Sequence, residues 1–97
     1  MDADASLLGS ALLELCARER AFTTDDIWML VGRVDDGRSI ANAMVRAERD
    51  GVIVNSRLGA YMRGQQKHLR WLTVWVVPQN GGTVVDAAEY AAARFRS

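Results

Sequence analysis

The chain has 97 residues, 49% hydrophobic and 25% charged, with one Cys and one His. That length supports one domain with a modest core, and the composition is that of an ordinary folded soluble domain. Cys16 has no second cysteine to pair with, and Cys16 and His68 together are too few for a zinc site. Asp2 and Asp4 stand where a signal peptide carries basic residues, and no apolar run approaches the roughly 20 residues that span a bilayer. The expectation is a cytoplasmic protein with no membrane contact.

Net charge is zero, but the charges are unevenly spread. Residues 1–32 hold six acids against two arginines, and residues 33–70 hold eight Arg and Lys against four acids. Such asymmetry gives the molecule a positive side, and local potential steers a polyanion better than total charge does.

Leu7, Leu8, Ala11, Leu12, Leu15 and Cys16 recur at helical spacing. They predict a helix over about residues 5–20, with Cys16 in the core stripe. Phe22 anchors the entry to the next element, on a very short strand. Thr23 or Thr24 then caps a short helix, with Asp25 and Asp26 in its positive first turn and Ile27, Leu30 and Val31 pointing inward. Gly32 ends it, and "RVDDG" reads as a turn. A third helix starts near Ser39. At 100° per residue, Ile40, Ala43, Met44 and Ala47 share one side. Arg38, Ser39, Asn42, Val45, Arg46 and Arg49 share the opposite side, and Gly51 provides the stop.

Two strand-like runs follow, about 52–63 and 69–77, around the polar stretch 64–68. They read as a β-hairpin carrying Arg57, Arg63, Lys67 and Arg70, with no acid between Arg57 and Val77. The second run is apolar on both sides: Leu69, Trp71, Thr73, Trp75 and Val77 alternate with Leu72, Val74 and Val76, so both faces need cover. Pro78 ends the strand, and "PQNGG" is a linker or turn. Thr83, with Asp86 three residues on, opens a last helix. Val84, Val85, Ala88, Ala91, Ala92 and Phe95 line one face of it. The first three helices cover one side of the hairpin; the last helix folded back, or a second chain, covers the other, and a homodimer is expected.

Helix, short strand, helix, turn, helix and hairpin, over residues 7–77, resemble the winged-helix family of helix-turn-helix domains. The most specific part is the third helix running through "RAERDGVI" into the hairpin. Thr23-Thr24-Asp25-Asp26-Ile27-Trp28, Arg38 before the third helix, His68 near the wing tip and the closing Val74-Trp75 are similar to small winged-helix proteins of actinobacteria and their bacteriophages. The resemblance implies an α+β fold, a three-helix helix-turn-helix core plus a β-hairpin wing over residues 1–78. Residues 79–97 are then a linker and an extra C-terminal helix, packing on the wing sheet or mediating dimerisation.

The function so implied is double-stranded DNA binding by a phage-type transcription regulator in a bacterial cytoplasm. The helix 39–50 enters the major groove and the basic wing 57–70 reaches an adjacent groove or the backbone. Asn42 is then placed to read an adenine edge and Arg46 a guanine edge. Ser39 and the helix N-terminus bind phosphate. Arg38, Arg49, Arg57, Arg63, Lys67 and Arg70 are phosphate contacts, with His68 at the wing tip. Against this stands a plainer reading, in which Arg46 and Arg49 pair with Asp50 or neighbouring acids as surface ion pairs and Trp28, Trp71 and Trp75 fill the core. A winged helix also serves as an adaptor, here one that binds a host or phage protein without touching DNA. With no Gly-rich phosphate loop, nucleophile motif or metal-ligand spacing, neither enzyme activity nor a cofactor is expected.

Overall fold

In a computed structural model, residues 3–31, 37–61 and 71–96 are described. Four helices and a three-stranded antiparallel sheet form an α+β fold. The turn around Asp35 and Asp36 and the polar tip 64–68 lie outside the described residues.

Helix α1 (Ala3–Arg18) buries Leu8, Ala11, Leu15 and Cys16, the stripe its periodicity predicts. Strand β1 (Ala21–Phe22) leads into α2 (Thr24–Val31). There the Thr23 hydroxyl accepts the Asp25 N–H, and an Asp26 carboxylate oxygen accepts the Thr23 N–H. This reciprocal cap ties down the start of the helix. Ile27 is buried and Trp28 and Val31 pack against the core, but Leu30 is exposed. The inward face of α2 therefore runs through Trp28 in place of Leu30, because a helix of eight residues presents only one narrow face to α1.

Helix α3 (Gly37–Arg49) begins two residues earlier than its apolar spacing predicts. Its end is a Schellman motif: the Gly51 N–H donates to Glu48 C=O and the Val52 N–H to Ala47 C=O, with Gly51 at φ 78°. Only glycine takes that left-handed position without a steric cost.

The sheet has the order β1-β3-β2, with β2 (Val54–Tyr61) and β3 (Trp71–Val76) paired antiparallel. Val54 and Asn55 oppose Val76 and Trp75, and pairing resumes at Gly59 opposite Thr73, so β2 carries a bulge between them. Asn55 Oδ1 accepts the Arg57 N–H, while the Ser56 hydroxyl donates to Val74 C=O and accepts the Leu58 N–H. These bonds hold Arg57 at φ 66°, a left-handed conformation unusual for a residue with a side chain.

Both faces of the sheet are covered. On one side Phe22, Trp75 and Val77 join the core of α1, α2 and α3. On the other, α4 (Val84–Arg96) lies over Ala60, Val74 and Val76. The apolar alternation of β3 thus meets two separate cores, and α4 supplies the cover that the second face needs.

The orientation of α4 departs from expectation. Ala87 is fully buried, and Tyr90, Ala91 and Arg94 turn inward with it. Val84 and Val85 are 57% and 61% exposed, and Ala88 and Ala92 also face solvent. The helix is rotated by roughly a third of a turn from its most apolar stripe. Two reasons combine. Ala87 allows close approach to the sheet, and Tyr90 and Arg94 reach polar partners on α2. The start of α4 does follow expectation, with an Asp86 carboxylate oxygen accepting from both the N–H and the hydroxyl of Thr83.

The stretch "PQNGG" is a built turn. Pro78–Asn80 forms one turn of 3-10 helix that docks on the end of α1. Gln79 and Asn80 donate their side-chain amides to Cys16 C=O, and Asn80 also reaches Glu19 C=O. At Gly82 an added Cβ would lie 2.3 Å from Arg20 O and 2.9 Å from Val77 O, so the backbone there passes too close for any other residue.

Candidate functional site

Helix α3 separates its two sides sharply. Ile40 and Met44 are each 3% exposed and Ala47 is buried with them, which fixes the helix against α1. The opposite side follows by rotation: Asn42, Val45, Arg46 and Arg49 are all exposed. Among the described residues neither Arg46 nor Arg49 has a carboxylate oxygen within 4 Å, so the surface ion pairs of the plainer reading do not form there. The side is not uniformly cationic, since Glu48 and Asp50 are exposed near its C-terminal end.

Arg57 is exposed at the β2 bulge, on a different element from the α3 group. Arg38 and Ser39 belong to the first turn of α3. Arg63, Lys67, His68 and Arg70 lie outside the described residues. The structure therefore brings Asn42, Arg46 and Arg49 together on one helix side and sets Arg57 on the neighbouring sheet. Trp28 and Trp75 pack against the core of the first three helices.

Beside Asn42 and Arg46 a groove opens between α1 and α3, with Leu12 and Leu13 on the α1 side. Helical periodicity alone does not reveal this neighbour. Leu13 is a hint, an apolar residue outside the buried stripe of α1 and 72% exposed.

A second polar cluster joins α2 to α4. Arg94 donates through Nη1 to Asp25 Oδ2 and through Nη2 to Asp26 Oδ1, each at 3.1 Å. The Tyr90 hydroxyl donates to Asp26 Oδ2 at 2.5 Å and lies 3.0 Å from the Thr23 hydroxyl. The Arg94 guanidinium stands over the Tyr90 ring, 4.5 Å from its centre, a cation–π contact. Burial, then the hydrogen bond to Asp26, pushes the Tyr90 hydroxyl pKa well above its usual value, so the phenol stays protonated. Asp25 and Asp26 do occupy the first turn of α2, as expected, but their larger role is to hold α4 in place.

Among the described residues no helix is long and apolar enough to cross a membrane. Comparison of the chain with protein-family models, with curated proteins and with solved structures returns no match.

Proposed function

We propose that the chain is a winged-helix regulator that binds double-stranded DNA, with α3 in the major groove. The observation that carries the reading is the solvent side of α3, where Arg46 and Arg49 stand without carboxylate partners among the described residues and Asn42 lies one turn before Arg46. A helix of this diameter fits a major groove, and Arg and Asn are the side chains that match guanine and adenine edges there. The element order supports the same reading: α3 leads directly into β2, and β1 closes the sheet against β3. Arg57 on β2, with Arg63, Lys67, His68 and Arg70 between the strands, supplies the basic wing. A paired arrangement of two chains would set two α3 helices on a palindromic site.

The test is fluorescence anisotropy with random and selected duplexes at several salt concentrations. If about five cations reach phosphates, log K falls against log salt with a slope near −4.5. Arg46→Ala weakens the preferred site by about 1–3 kcal/mol when the side chain reads a base. An equal loss on every duplex makes Arg46 a phosphate contact.

The adaptor reading keeps one specific support, the apolar side chains that a duplex does not take up. Leu13 on α1 and Val84 and Val85 on α4 are all more than half exposed. A folded protein that binds no duplex at low salt decides for the adaptor.

A further inference from the structure

The groove between α1 and α3 has a volume of about 470 Å³. Leu8, Leu12 and Cys16 of α1 face Ala43 and Ala47 of α3 across it, and Leu13 and Val52 extend the apolar wall at the edges. Among the described residues polar side chains enter from one side: Asn42, Arg46 and Asp50, four residues apart, form a single row along one rim. The volume lies within the range of small-molecule sites, roughly 300–1,000 Å³, and the mixture of an apolar lining with a few convergent polar groups is typical of them. A protein segment is a poor fit. A helix is about 10–12 Å across, and a stable protein interface takes about 800 Å² from each partner.

The charges select among small molecules. Among the described residues Arg46 is the one cation lining the groove, and it has no carboxylate within 4 Å. A guanidinium takes a carboxylate through two parallel N–H bonds, and the Asn42 amide beside it is a further donor. Asp50, one turn beyond, repels a second acid group. We propose that this groove binds an amphiphilic monocarboxylate, its carboxylate on Arg46 and Asn42 and an aliphatic chain of about ten carbons along Leu12, Leu13 and Ala43. Cys16, polarizable and buried, forms part of the floor.

The experiment titrates isotope-labelled protein with decanoate, decanol and decylamine and follows the backbone amide resonances. No DNA is present, so the outcome is independent of the duplex reading. Decanoate is expected to give saturable shifts within residues 8–16 and 42–52, with decanol and decylamine about tenfold weaker or worse. Arg46→Gln, at an exposed position, lowers decanoate affinity about tenfold, to the decanol level. Leu13→Gln, also exposed, weakens decanoate and decanol alike. Equal affinity for decanoate and decanol, preference for decylamine, shifts centred elsewhere, or no saturation below the millimolar range each overturns the proposal.

Discussion

Arg94 shows how much one buried charge decides. Its side chain is 11% exposed and that of Asp25 only 8%, so neither is well solvated in the folded chain. Ion pairs this far from water gain little over a packed apolar contact, yet removing one partner is costly because the other charge stays behind. Arg94→Met is therefore expected to destabilise the fold by about 3–5 kcal/mol, measured by urea unfolding. Tyr90 belongs to the same cluster and sets a pH dependence. Its pKa rises above the ordinary 10.0 on folding, so the native state keeps a proton that the unfolded chain gives up first. The stability it contributes is complete below pH 10 and declines as pH climbs beyond that value toward the native pKa. Chemical denaturation between pH 9 and 11 should show this decline, and it should be shallower in Tyr90→Phe.

At the level of single elements, ends matter as much as faces. The end of α1 meets the 3-10 turn, where the Asn80 amide donates to Cys16 C=O in the last turn of the helix and to Glu19 C=O just past it. Such carbonyls have no partner within their own helix and need one from outside. Asn80→Ala removes the amide and is expected to cost about 1–2 kcal/mol, visible as a lower melting temperature with no change in helix content by circular dichroism. The carbonyl of Cys16 keeps its bond from Gln79, which limits the loss. Helix α3 illustrates the other case, a helix whose faces follow from spacing alone. Ile40, Met44 and Ala47 turn inward, and Asn42, Arg46 and Arg49 turn out. Helix α4 does not behave so. Its apolar stripe at Val84, Val85, Ala88 and Ala92 stays in solvent while Tyr90 and Arg94 go inside.

The sheet is the centre of the molecule, with α1, α2 and α3 on one side and α4 on the other. Val74, fully buried, and Val76, 6% exposed, depend on α4 for their cover. Removing residues 83–97 is expected to uncover them, abolish the cooperative thermal transition and drive self-association, followed by calorimetry and size-exclusion chromatography. Retention of a sharp, monomeric transition would show that the first three helices and the sheet stand alone.

What is legible in the chain order is what depends on near neighbours. The stripe of α1, a threonine cap at Thr23 or Thr24, the cap at Thr83, the two sides of α3 and the glycine that stops it rest on interactions spanning a few residues. So does the candidate interface as far as Asn42, Arg46 and Arg49, whose spacing on one helix sets them on the same side. Tertiary contacts settled the rest. Tyr90 and Arg94 are drawn inward by Asp25 and Asp26, 64 to 69 residues away in sequence. The groove beside Arg46 needs α1, and the role of Asn80 needs the end of that same helix. No periodicity encodes those meetings, because a side chain's preference for burial changes once a distant partner satisfies its charge or hydrogen bond.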